Sequence, residues 1–162
     1  MSDTSVLPGS LAVRNLLEDL LGRDVTVSPS APMEQGDMPT ATLAIFIDTA
    51  QQLYAVLGMQ LSLAANAGAA LGLLPPGAAE DSIEEKKLTP TLSENVFELC
   101  NVLTSLLNVE GAPHVKLYQV VYPGMPIPND ALAHLMALGR RLDLTVEVAR
   151  YGKGKFSLSL AP

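Results

Sequence analysis

The stretch from residue 91 to residue 108 constrains the fold of this chain more than any other. Its apolar residues recur at steps of three and four, which is the spacing of one face of an α-helix, so we predict a long helix with a buried face. Polar side chains recur at the same steps on the opposite face. We call this set the polar stripe: Glu94, Glu98, Asn101, Ser105 and Asn108. Within it, Glu98 and Asn101 are neighbours on adjacent helical turns.

The start of this helix has a local explanation of its own. Pro90 stands where a helix tolerates proline, and Thr91 with Glu94 three residues later has the form of a capping box. In a capping box the two side chains bond to backbone N–H groups of the first helical turn. Glu94 therefore has a predicted structural role in addition to its place in the polar stripe.

Length and hydropathy predict a single domain outside the membrane. The chain has 162 residues, and we predict an N-terminal tail over residues 1–10 and one domain over residues 11–162. The most apolar run, residues 59–74, is shorter than the about 20 residues that a membrane-spanning helix needs. The first residues have neither the basic cluster nor the apolar core of a secretory signal. We therefore expect a cytoplasmic protein with no membrane partner.

The charge balance argues against a nucleic-acid partner. The net charge is −7, aromatic residues make up 4%, and there is no Trp to stack on a base. Half of the basic residues nevertheless fall in the segment from residue 140 onwards. We favour a solvated strand edge for them over a site for phosphate or an acidic partner. They are Arg140, Arg141, Arg150, Lys153 and Lys155.

Helical and strand periodicities alternate along the rest of the chain. The charged segment 75–89 is predicted to be a linker or a short exposed helical turn. The order predicts an α+β fold, an antiparallel or mixed sheet flanked by helices, in two loosely repeated halves of helix and hairpin. The predicted elements are a helix at 11–21, a short strand at 24–27, a hairpin at 40–48 and 53–57, an Ala-rich helix from 59, the long helix, a strand at 114–122, a short helix at 131–138, and a second hairpin at 142–149 and 156–160.

Few residues offer catalytic chemistry within the chain. Cys100 is the single cysteine and is predicted to be buried, and no GxSxG turn is present. One cysteine with two histidines argues against a structural zinc site. A divalent-metal site built from Glu94, Glu98 and Asn101 is disfavoured because one helix supplies few ligands. We therefore predict no metal site and no cofactor on this chain.

An exposed Glu and Asn one turn apart can instead act on another protein. A carboxamide both donates and accepts hydrogen bonds, so Asn101 could orient a water for attack on a phosphoryl group that a partner carries. Glu98 could pair with a lysine of that partner. The alternative is a solvated helix face without a function.

The same pair carries a resemblance to a known family. A long amphipathic helix with Glu98, two residues and Asn101 follows a hairpin and an Ala-rich helix and precedes a strand that ends near Pro123. This layout resembles the CheC/CheX/FliY family of bacterial chemotaxis phosphatases, and with its single motif it is most similar to the CheX type. In element order the similarity spans residues 11–160.

The resemblance implies a function for each of these residues. The family hydrolyses the aspartyl phosphate of a response-regulator (CheY-like) receiver domain. By resemblance, Asn101 orients the water, Glu98 pairs with the regulator's lysine, and the regulator supplies Mg²⁺. We expect the remaining stripe residues, Glu94, Ser105 and Asn108, to contact that partner.

The sequence also departs from the family pattern near the motif. Glu94 stands where the family has Asp or Ser, and bulkier residues, Leu99, Cys100 and Leu103, replace small ones. The alternative function is therefore a non-catalytic binding or scaffold module in chemotaxis or two-component signalling. Exposed strand edges and the apolar composition further suggest a homodimer.

Overall fold

Within residues 7–161, the alternating apolar segments form six strands that pair into one antiparallel sheet. The structure is a computed structural model that describes residues 7–161. The strand order across the sheet is β1-β5-β6-β3-β2-β4, so that β1 and β4 are the edges. The strands are β1 (Val25–Pro29), β2 (Thr42–Asp48), β3 (Leu53–Met59), β4 (Val115–Val121), β5 (Arg141–Val148) and β6 (Gly152–Leu160).

Helices cover both faces of this sheet. The main core lies between the sheet and α1, α2 and α4, and a second core lies on the other face beneath α5 and the segment around Met33 and Met38. Two short 3-10 helices span Gln35–Thr40 and Thr104–Leu106. The α-helices are α1 (Ser10–Leu21), α2 (Leu61–Leu71), α3 (Pro76–Glu85), α4 (Pro90–Leu103) and α5 (Asn129–Met136).

The sheet order is symmetric about its centre. One half of the chain contributes α1, β1 and the hairpin β2-β3, and the other contributes α4, β4 and the hairpin β5-β6. Each single strand pairs with the first hairpin strand of the other half, as β1 with β5 and β4 with β2. The second hairpin strands, β3 and β6, join at the centre. The predicted α+β fold with repeated helix-and-hairpin halves is therefore confirmed.

Residues 75–89, which were predicted to be a linker or a short exposed helical turn, contain a full helix. This segment forms α3, a helix of 10 residues that begins with Pro76 and packs on α2. Its buried residues are small, Ala79 and Ser82, and Ala79 packs in one cluster with Ala65 and Ala69 of α2. Small residues give a weak apolar periodicity, so the charged side chains dominated the prediction.

The predicted capping box at the start of the long helix was wrong. The N-cap is Thr89, whose Oγ1 accepts a hydrogen bond from the Leu92 N–H at 3.2 Å, and Pro90 is the first helical residue. Glu94 therefore has no capping role. The α-helix ends at Leu103 rather than continuing to residue 108, and the chain continues through the 3-10 turn Thr104–Leu106.

The second hairpin has a longer last strand than predicted. β6 begins at Gly152, within the glycine-rich segment that was predicted to be a loop. Gly154 is required there, because a Cβ at this position would lie 2.5 Å from the Leu63 N atom of α2. The glycine thus permits close approach of helix and strand and does not mark a turn.

Three further predictions concern the N-terminal tail, membrane-spanning helices and a homodimer. Residues 1–6 of the predicted tail lie outside the described residues, whereas Pro8 is buried and Leu7 packs partly against the main core. Within residues 7–161, no helix is both long enough and apolar enough to cross a membrane. The homodimer suggested by the exposed strand edges stays a prediction.

Candidate functional site

The first three residues of the polar stripe lie on the outer face of α4. The opposite face of this helix is buried against the sheet and α2, through Leu92, Val96, Leu99 and Leu103. Amphipathic spacing therefore fixes which side of α4 faces solvent. The residues on that outward side are Glu94, Glu98 and Asn101, and Ser105 follows in the 3-10 turn; all four are exposed.

Contacts with α2 hold α4 in this rotation. Gly68 of α2 allows close packing, because a Cβ there would lie 3.1 Å from Val96 Cγ2. The Asn95 side chain donates a hydrogen bond from Nδ2 to the Gly68 carbonyl at 3.0 Å. These contacts lie on the inner flank of α4. The stripe is consequently presented on a rigid element, which suits a site that must position a reacting group.

Glu98 and Asn101 lie side by side on this surface. They are separated by one helical turn, so their side chains are neighbours. Both are exposed, and neither side chain makes a hydrogen bond or an ion pair with any described residue. A buried or internally bonded Asn101 would have been incompatible with action on a partner. The geometry leaves both polar groups available to another molecule.

The remaining stripe residues differ from one another in availability. Glu94 and Ser105 are exposed, Glu94 one turn before Glu98 and Ser105 within the 3-10 turn that follows α4. The Asn108 carboxamide, in contrast, donates to the Val115 carbonyl and accepts from the Val115 N–H, each at 2.7 Å. Asn108 thus positions the first residue of β4. We therefore leave it out of the proposed contact surface, and Glu94 and Ser105 stay predictions.

Two titratable groups, Cys100 and Tyr122, have pKa values that are raised by burial. Burial raises the pKa of Cys100 to about 12, so its thiol stays protonated and is not a nucleophile at neutral pH. Burial also raises the pKa of Tyr122, and the neighbouring Cys100 raises it further. Tyr122 follows β4 and packs against the main core. The predicted burial of Cys100 is confirmed.

Phe97 is a surface residue that the sequence patterns did not single out. It is 47% exposed, although it is a large apolar side chain. It lies three residues after Glu94 and four before Asn101, which makes it a neighbour of both on the helix surface. Its spacing places Phe97 on the flank between the buried face and the polar stripe. Neither of the two periodic patterns therefore selects it.

One of the basic residues near the end of the chain, Arg141, has a structural role. Arg141 pairs with Asp143 at 2.7 Å and donates from Nη1 to the Leu135 and Ala137 carbonyls at the end of α5. Burial alone would raise the pKa of Asp143, but hydrogen bonds from Arg141 and Ser157 and the charges of Arg141 and Lys155 lower it overall. Arg141 therefore closes α5 onto the sheet and is not free to bind an anion.

The described part of the chain does not gather the residues of a metal centre. No group of three or more His, Cys, Asp or Glu side chains in residues 7–161 is arranged to hold a metal ion. Glu94 and Glu98 contribute two carboxylates from one helix, with no third such side chain beside them.

Comparisons with known proteins identify the fold. No protein-family model matches the chain, and no curated protein matches it. The middle domain of FliM from Vibrio alginolyticus is similar in structure, with a TM-score of 0.59 and 14% identity over 94% of this chain and 88% of that one. CheX from Borrelia burgdorferi, solved in a complex with CheY, BeF3 and Mg²⁺, gives 0.52 and 11% over 93% and 94%.

A third similar structure is FliY from Thermotoga maritima, with a TM-score of 0.52 and 14% identity over 91% of this chain and 81% of that one. At these identities the likeness establishes the fold and leaves the activity to be argued from the site. The chain has the fold that CheX, FliY and the FliM middle domain share, as the resemblance of the CheC/CheX/FliY layout predicted.

Proposed function

We propose that this chain, which has the fold of CheX and FliY, is an aspartyl-phosphate phosphatase that acts on a response-regulator receiver domain. The observation that carries the proposal is the state of Glu98 and Asn101. They are exposed, adjacent on a helix that is packed in a fixed rotation, and unengaged by the described residues of their own chain. Such a pair is suited to a reaction on a group held by another protein.

In this mechanism Asn101 orients the attacking water. Its carboxamide oxygen accepts a hydrogen bond from the water, and its NH₂ group can donate to a phosphoryl oxygen. The water oxygen forms a bond to phosphorus while the bond from phosphorus to the aspartate oxygen breaks. The products are inorganic phosphate and a free carboxylate on the regulator. Positioning and electrostatic stabilisation supply most of the acceleration in phosphoryl transfer, so no nucleophile on this chain is required.

In this mechanism Glu98 aligns the two proteins with each other. A carboxylate one turn from Asn101 can pair with a lysine beside the phosphorylated aspartate, and such a charge-assisted hydrogen bond fixes the two proteins relative to each other. Mg²⁺ on the regulator would neutralise the phosphoryl charge. A receiver-domain partner also implies a cytoplasmic location for the chain, in agreement with the expectation from the sequence.

The test is the lifetime of a phosphorylated receiver domain. Single-domain regulators from the same organism are phosphorylated with a small-molecule phosphodonor in Mg²⁺, and phosphate release is measured with and without the protein. We expect wild type to accelerate release from one of them, and Asn101→Ala to reduce this acceleration roughly 100-fold, as loss of a transition-state hydrogen bond does in other enzymes. Glu98→Ala should mainly raise KM, because Glu98 contributes binding.

The test also has a control variant and a result that would contradict the proposal. Asn15→Ala removes an exposed carboxamide from α1, outside the stripe, and should leave the catalytic rate within about twofold of wild type. Equal, slow decay with wild type and with Asn101→Ala, for every regulator tested, would rule out the phosphatase.

A second candidate function is a non-catalytic binding module of the chemotaxis or flagellar machinery. Two FliM structures favour it, with TM-scores of 0.59 and 0.60 compared with 0.52 for CheX and FliY. One of those FliM structures is a complex with SpeE. This function predicts that wild type binds a receiver domain or a switch protein and leaves the lifetime of the phosphoryl group unchanged.

A further inference from the structure

We infer that Phe97 is the anchor residue through which α4 selects its protein partner. The inference rests on the proposed function, because it assigns a partner-recognition residue to the same surface. It concerns affinity and choice of partner, whereas Asn101 concerns the chemical step. The two can therefore be separated experimentally.

The position of Phe97 distinguishes it from other exposed apolar residues. Single apolar side chains on a protein surface are common and carry no implication by themselves. Phe97, however, lies among polar side chains that its own chain leaves unengaged: Glu94 one turn before it, Glu98 next in sequence, and Asn101 one turn after it. An exposed aromatic side chain beside polar groups that are available to a partner is typical of an interface hot spot.

Phe97 lies on one flank of α4, between the buried face and the polar stripe. It is three residues before the buried Cys100, so the two residues share this flank of the helix. A partner that covers Asn101 from this flank also covers the exposed part of Phe97, because the two residues are neighbours one turn apart.

Charge defines the chemistry of the matching partner surface. Glu94 and Glu98 are both acidic, no basic side chain of α4 accompanies them, and the chain as a whole has a net charge of −7. The complementary surface is an apolar pocket bordered by Lys or Arg. We therefore assign Phe97 to a receiver-domain surface of this kind beside the phosphorylated aspartate. Regulators with an acidic or filled surface there should be poor substrates.

The experiment compares Phe97→Ala with Tyr118→Ala. Tyr118 is an exposed aromatic residue, 63% exposed, on the edge strand β4 rather than on α4, so its truncation is the matched control. The dissociation constant is measured for a receiver domain loaded with BeF3 and Mg²⁺, and KM and kcat for its phosphorylated form. We expect Phe97→Ala to raise Kd and KM at least about tenfold, as loss of a hot-spot aromatic does, with kcat within about twofold. Tyr118→Ala should change neither.

A conservative variant and a folding control make the result specific. Phe97→Leu keeps an apolar side chain and should recover part of the affinity, whereas Phe97→Lys should lose more than Phe97→Ala against a basic partner. The melting temperature of each variant establishes that the comparison is made on folded protein, since part of the ring is buried.

The outcomes separate this inference from the proposed function. Unchanged or tighter binding by Phe97→Ala, with Asn101→Ala inactive, would overturn the anchor and leave the phosphatase intact. Binding that depends on Phe97 without any acceleration of phosphate release would support the anchor and overturn the phosphatase. If wild type neither binds nor accelerates any regulator tested, both are wrong.

Discussion

The helices α1 and α4 occupy equivalent places in the two halves of the molecule, but particular exposed polar side chains on them differ in whether they have a partner. Each packs on the same face of the sheet and leads into an edge strand. On α1, Arg14 donates to the Asn15 side chain at 3.2 Å and lies 3.9 Å from the Glu18 carboxylate. On α4, Glu98 and Asn101 have no such partner among the described residues.

The difference shows that polarity alone does not identify a working surface. Both halves hold the first residue of the edge strand with a side chain seven positions earlier: Glu18 accepts from the Val25 N–H, and Asn108 bonds to both backbone groups of Val115. By spacing, Asn108 belongs to the polar stripe, yet its role corresponds to that of Glu18. The distinguishing property of Glu98 and Asn101 is that the fold does not use them.

The largest expected effect concerns the contact that holds α4 in place. Gly68→Leu would drive a side chain into Val96 and the Leu92 carbonyl, whose atoms already lie 3.1 and 3.4 Å from the position of a Cβ. We expect the free energy of unfolding to fall by about 3 kcal/mol, as overpacking does in other cores. Urea unfolding followed by circular dichroism measures this.

Gly77→Ala is the control for that substitution. A Cβ at Gly77 of α3 meets nothing within 4 Å, so alanine should leave stability unchanged or raise it slightly. Equal stability of Gly68→Leu and wild type would mean that α4 is not seated as described.

A smaller effect compares the two side chains that hold the edge strands. Asn108→Ala removes two hydrogen bonds of 2.7 Å, and Glu18→Ala removes one of 3.1 Å to the Val25 N–H. We expect losses of about 2 and about 1 kcal/mol respectively. Chemical denaturation of both variants shows which one loses more stability. A larger loss for Glu18→Ala would contradict the assignment of the stronger strand contact to Asn108.

The smallest effect distinguishes the actual helix cap from the predicted one. Thr89→Ala should lower the free energy of unfolding by about 1 kcal/mol, because Thr89 Oγ1 accepts the Leu92 N–H. Thr91→Ala should change it by no more than about 0.5 kcal/mol, as a typical exposed position does. Thermal unfolding of the pair measures the difference, and a larger loss at Thr91 would restore the predicted capping box.

The sequence predicted the fold well where side-chain periodicity is strong. Alternating apolar residues located β2 and β5, and the spacing of Val96, Leu99 and Leu103 located α4 and its outward face. Prediction failed where small residues carry the packing. Ala79 and Ser82 bury α3 without an apolar pattern, and Gly154 lies within a strand because α2 approaches it closely.

The candidate site was predicted in part for the same reason. Periodicity placed Glu98 and Asn101 together on the solvent face, and the structure has them there. It could not separate Asn108, because the bonds of Asn108 to Val115 depend on how the following loop folds back. It passed over Phe97, since a flank position belongs to neither face of the pattern. Availability to a partner is a property of the tertiary structure.

The most direct test of the account sets Asn101 against Asn15, the exposed asparagine of α1 whose side chain accepts a hydrogen bond from Arg14. Phosphate release from the best phosphorylated receiver domain is measured at saturation with Asn101→Ala and with Asn15→Ala. We predict that Asn101→Ala retains roughly 1% of the wild-type acceleration and that Asn15→Ala stays within about twofold of wild type. Equal rates for the two variants would contradict the claim that the free asparagine of α4 is the one that acts on the partner.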